Sequence, residues 1–167
     1  MTPFELFSGF TESPDAALCF IALLAMATFV HLVAHELGHC VAAALCGVST
    51  VELLIGRGPR WLQLQFGRCK VAVGVAFMAG GSTTYRSTIN GIQPVPRALI
   101  AAGGAIGDGI ASLLFAALAS ALSIPSLWLS MYVCLFSSVL SISPLHSDGR
   151  KVVSNLVLAF NRRLNHR

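Results

Sequence analysis

Charge is the first thing this chain lacks. Asp, Glu, Lys and Arg make up 11% of its 167 residues, less than half of the roughly 25% usual in soluble domains. So little charge excludes a disordered chain, a basic nucleic-acid-binding surface and an ordinary cytosolic enzyme. Paired cysteines are missing too. Cys19, Cys40, Cys46, Cys69 and Cys134 form no CxxC motif and no disulfide-like spacing, and free Cys in an apolar stretch behaves as a small hydrophobe. The first fifteen residues hold Glu5, Glu12 and Asp15 and lack a basic start, so no cleavable signal peptide is expected. Internal repeats and low-complexity tracts are absent.

Apolar residues are abundant. They reach 55% of the chain, and mean hydropathy is +0.75. The expectation is a mainly α membrane protein, a single core domain over residues 1–167 with three transmembrane helices. The first span covers about 16–40, long enough to cross a hydrocarbon core of about 30 Å, and its helical pattern runs on toward residue 48. The second, at 98–122, is rich in Gly and Ala, and the glycines of 103–109 read as a helix-packing face. The third covers about 127–146, antiparallel to the second across a short turn at 123–126, with Pro144 disturbing its end.

A different texture lies between the first two spans, at about 50–80. Residues 62–66 and 71–77 alternate apolar and polar, which reads as strands, with Gly67-Arg68 turning a hairpin. Gly80-Gly81 reads as a turn or loop after them. The expected element is a small membrane-associated sheet. The tail mixes Val152, Val153, Leu156, Val157 and Phe160 with basic residues, the pattern of a short amphipathic helix at a membrane surface.

Charge placement predicts an orientation. Arg57, Arg60, Arg68, Lys70, Arg86 and Arg97 fall between spans one and two, and Arg150, Lys151, Arg162, Arg163 and Arg167 in the tail. The N-terminal segment is acidic and the 123–126 turn is uncharged. A multi-pass protein of the plasma or inner membrane, N-terminus outside and C-terminus cytoplasmic, satisfies the positive-inside rule.

His35-Glu36-Leu37-Gly38-His39 carries the chemistry. Residues four apart on a helix face the same way, so both imidazoles can hold one Zn²⁺. Glu36 sits beside them, placed to take a proton from water activated by the metal. Ionisable residues this deep in a membrane helix are costly and usually functional. His31 extends the stripe by one turn, about 6 Å away, which suits a polar contact near the metal better than ligation.

A third protein ligand is needed. The candidates are Asp108, His146 and Asp148. His35 lies about 27 Å and Asp148 about 32 Å from the outer ends of their spans, while Asp108 is only about 16 Å from the cytoplasmic end of its own. Depth therefore favours Asp148, with His146 and Asp108 still open.

With these motifs the chain resembles the site-2 protease family of intramembrane zinc metalloproteases, over roughly residues 16–155. The carriers are HELGHCVAAALCGV at 35–48, Gly56-Arg57-Gly58-Pro59, and Pro144 followed by Asp148-Gly149. The resemblance implies that His35, His39 and Asp148 hold one Zn²⁺ per chain and that Glu36 is the catalytic base. It implies a site open toward the cytoplasm and membrane-protein substrates cut in or near their transmembrane segments. It also implies a membrane-embedded β-structure, here 61–77, whose edge could take an unwound substrate strand. Gly80, Gly81 and Asp108 are the candidate substrate contacts. The short 123–126 turn leaves no room for an inserted PDZ domain, so substrate filtering falls to the core or to a regulatory membrane partner. In the second span the family's Ala-Gly-Pro and later Asn are replaced by Ala102-Gly103-Gly104-Ala105-Ile106-Gly107-Asp108. That difference motivates an alternative, a non-catalytic zinc-binding membrane adaptor. A metal transporter, suggested by the His31/His35/His39 stripe, has little material for a path in three spans.

Overall fold

The computed structural model describes residues 14–86, 92–124 and 126–165, without the side chains of 77–79. Glu5, Glu12 and Arg167, used above to orient the chain, lie outside the described residues. Helix α1 spans Pro14–Leu45. Strands β1 (Thr50–Phe66) and β2 (Cys69–Arg86) follow, and then α2 (Pro94–Leu122), α3 (Ser126–Ile142) and α4 (Ser147–Asn165).

Among the described residues, three stretches are long and apolar enough to cross a membrane: α1, α2, and residues 126–165, where α3 and α4 are joined by a short turn. Their apolar side chains are not used up by the fold. Only 6% of the most apolar window of α1 is buried. Leu18, Ile21 and Met26 on α1, and Leu113 and Leu114 on α2, are exposed. An outward-facing apolar shell of this size suits lipid better than water.

Helices α1 and α2 meet backbone to backbone. A methyl group built on Gly103 would lie 2.6 Å from the Gly38 carbonyl oxygen and 2.8 Å from the Ala42 Cβ. One on Gly107 would strike the Ala34 carbonyl and Gly38 Cα. Small residues make this approach possible. Helix α3 is tied to α2 by hydroxyls: Ser138 donates to the Ala105 carbonyl at 2.8 Å, and Ser112 to that of Met131 at 3.2 Å.

The expected hairpin turn at Gly67-Arg68 is present, with Phe66 paired to Cys69. Both strands are longer than the alternation suggested, and both bend. Residues 62–66 pair with 73–69, while 50–55 pair with 86–81 on one side and lie level with 69–73 on the other. Gly80-Gly81 does not end the strand. Gly80 adopts φ +105°, which lets β2 kink there and continue to Arg86, a conformation open to glycine. The main apolar core lies under the sheet, where Cys40 and Ala43 of α1 meet Val51, Leu53, Ile55 and Ile100.

Helix α3 stops at Ile142, before Pro144. The His146 amide then donates to the Ser143 carbonyl at 2.9 Å, and α4 starts one residue later. Gly149 closes this corner. A methyl there would strike the Ser143 carbonyl and lie 2.6 Å from that of Ile142.

Gly103→Val should lower the thermal midpoint of the detergent-purified protein, at a cost of about 1–3 kcal/mol or more, because overpacking forces the helices apart. Gly109→Ala, whose new methyl would meet only the Ser138 hydroxyl at 3.6 Å, should leave the midpoint unchanged.

Candidate metal centre

Because α1 is unbroken from Pro14 to Leu45, His31, His35 and His39 fall on one stripe. Each of the last two is held from behind. His35 Nδ1 is 2.7 Å from Asp108 Oδ2. His39 Nδ1 is 2.6 Å from the Ile100 carbonyl oxygen. Carboxylates and carbonyls only accept, so both Nδ1 atoms carry a proton, and in the neutral imidazole each Nε2 is then left with the lone pair that a metal would take. The Gly104 amide also approaches His39 Nδ1, at 3.2 Å, but a nitrogen donating to Ile100 has no lone pair to offer it.

The two Nε2 atoms are 3.2 Å apart. Asp148 Oδ2, at the start of α4, is 3.4 Å from that of His35 and 3.5 Å from that of His39. Tetrahedral zinc with bonds of about 2.0–2.1 Å sets its ligands about 3.3–3.4 Å apart. Two neutral imidazoles and a carboxylate, all buried, fit that ion and leave one position open. The other Asp148 oxygen accepts from Lys151 at 3.1 Å. Asp148 also lies in the first turn of α4, where the helix dipole favours an anion.

Glu36 is buried beside the triad. The Thr83 hydroxyl donates to its Oε2 at 2.6 Å, which brings the last limb of β2 against the HExxH helix. Gly81 is packed on the same carboxylate, and a methyl there would lie 2.7 Å from Oε1. A cavity of about 380 Å³ opens over these groups, lined by His31, His35, Glu36, His39, residues 80–83, Ser137, Ser141 and Asp148 among others.

A family model matches residues 22–165. This chain belongs to peptidase family M50. That is the site-2 protease family, membrane-embedded and in general zinc-dependent. No curated protein matches the chain.

Set against the M50 expectations, the structure brings His35, Glu36, His39 and Asp148 together and puts Gly80 and Gly81 on the cavity wall. Asp108 stands elsewhere. It is 0% exposed, outside the cavity lining, with both carboxylate oxygens taken by imidazoles. His146 has a half-exposed side chain, its Nδ1 3.7 Å from Asp148 Oδ2, beside the triad rather than in it. The sheet edge near the site is 81–86, not the 61–77 segment. Among the described residues, 81–86 pairs on one side only, with 50–55.

Sequence reasoning missed Thr83, Gly104 and the Ile100 carbonyl. A methyl on Gly104 would lie 2.5 Å from His35 Nε2 and 2.6 Å from His39 Nε2. The Gly103-Gly104 pair was visible, but nothing in it told a packing glycine from one that clears space for imidazoles.

Asp148→Ala should reduce bound zinc from about one per chain to below about a tenth, since a two-histidine remnant binds weakly. Metal analysis of protein freshly purified in detergent would show it. Zinc retained in the variant would move the third ligand to His146.

Proposed function

We propose that this chain is a zinc-dependent intramembrane endopeptidase that hydrolyses peptide bonds in or near transmembrane segments of membrane proteins. The observation that carries the reading is the convergence of His35 Nε2, His39 Nε2 and Asp148 Oδ2 to within 3.5 Å of one another, with the Glu36 carboxylate at the same cavity. His35, His39 and Asp148 hold the ion, and Glu36 is the general base. Zinc, when bound, supplies a lowered water pKa near 7 and polarisation of the scissile carbonyl.

The chain's own groups do the rest. Thr83 holds Oε2 of Glu36, which leaves Oε1 to receive a proton from the attacking water. Glu36 then delivers that proton to the leaving amine, and water and peptide bond become acid and amine. A transmembrane substrate hides its carbonyls in helical hydrogen bonds and must unwind first. The unpaired edge at 81–86 offers a place for the unwound strand, beside Glu36. Gly80 and Gly81 keep side chains out of that approach. In the bilayer, the charge pattern sets the N-terminus outside and the metal centre near the cytoplasmic face.

Two variants test this with a reconstituted transmembrane substrate. Glu36→Gln should cut turnover by roughly 10²–10⁴-fold with zinc content unchanged. Full turnover in that variant would overturn the reading, and a wild type without activity on any substrate would favour the adaptor. Gly81→Val, which pushes the carboxylate aside, should cost roughly 10²-fold in turnover, again with zinc retained.

A further inference from the structure

Asp108 is an ionisable residue in the middle of α2 and is 0% exposed. A carboxylate there is costly unless its oxygens are satisfied, and three side chains from two other helices satisfy it. Oδ2 accepts from His35 Nδ1 at 2.7 Å and from the Ser137 hydroxyl at 3.1 Å. Oδ1 accepts from His31 Nδ1 at 2.8 Å. The ring closes where His31 Nε2 lies 3.2 Å from the Ser137 hydroxyl. Helices α1, α2 and α3 thus meet at one carboxylate directly behind a metal-ligand candidate.

We propose that Asp108 is a positioning residue for the metal centre: it fixes the tautomer and ring orientation of His35, and His31 and Ser137 in turn hold Asp108. This rests on the reading of His35, His39 and Asp148 as zinc ligands. The two imidazoles are held differently. His39 leans on a backbone carbonyl, which every variant of the chain keeps. His35 leans on a side chain that a single substitution removes. Without Asp108 the His35 ring can rotate or carry its proton on Nε2, and either change withdraws the lone pair from the ion. A carboxylate behind a ligating imidazole also raises its basicity. The arrangement gives His31 a task at one turn from His35, without a ligand bond.

The test uses full-length protein in detergent, stripped of metal, with Zn²⁺ affinity measured by competition against a chromophoric chelator. The visible spectrum of the Co²⁺ form is recorded alongside. Asp108→Ala should weaken Zn²⁺ binding by roughly 10–100-fold and alter the Co²⁺ ligand-field bands. Asp108→Asn should weaken it less, because the amide oxygen can still accept from His35. Ser112→Ala removes a different buried hydrogen bond of α2, to Met131, and should change neither readout. If Asp108→Ala fails to fold, the near-isosteric Asn variant decides alone. Unchanged affinity and spectrum in the Asp108 variants, or an equal change in Ser112→Ala, overturns the proposal. Asp148→Ala separates the two levels. An unchanged Co²⁺ spectrum there overturns the three-ligand reading and this inference with it. Its loss, beside unaffected Asp108→Ala and Asp108→Asn, overturns this inference only.

Discussion

The backbone of α2 runs against the backbone of α1 at Gly38, with no side chain between them, and the candidate metal centre is built on that approach. Gly104 clears the volume that the two imidazoles occupy. The Ile100 carbonyl and Asp108 then reach the rear of each ring. A larger residue at Gly103 or Gly104 would move α2 outward and strip both rings of their partners. Close packing of small residues, the ordinary glue of membrane helices, here also sets ligand direction.

The second half of the site comes from a broken helix. Helix α3 stops at Ile142, before Pro144, and α4 starts at Ser147. The corner at 143–146 redirects the chain, and Gly149 lets it turn tightly against the carbonyls of Ile142 and Ser143. Glu36, Asp108 and Asp148 are all buried. Among the described residues, every buried side-chain nitrogen and oxygen has a partner. That satisfaction offsets the cost of placing so many ionisable groups in an apolar bundle.

The sheet completes the arrangement beside the HExxH helix. Thr83 and Gly81 rest on the Glu36 carboxylate, so the unpaired strand edge and the proposed base are held together. Residues 80–83 line the same cavity as the candidate ligands. An edge strand is the element that binds unwound backbone, which is what the proposed reaction on a transmembrane substrate would require.

Much of this was legible in the residues. Apolar length gave the three long helical stretches, the i, i+4 spacing put His35 and His39 on one face, and alternation with Gly67-Arg68 located the hairpin. These are local signals, set by helix pitch, strand pleat and turn geometry within a few residues. The extent of the strands was not legible, because Gly80-Gly81 reads as a break until φ +105° shows a kink. Nor was the place of Asp108, which the sequence offered as a less favoured third ligand or as a substrate contact. What the sequence by itself determined was the identity of the chemistry: two histidines and a glutamate on one helix, in a chain built for lipid. The tertiary structure alone decided which distant groups complete it. Asp148 and Thr83 lie 113 residues from His35 and 47 from Glu36 respectively, and no local period reports on contacts made across that much chain.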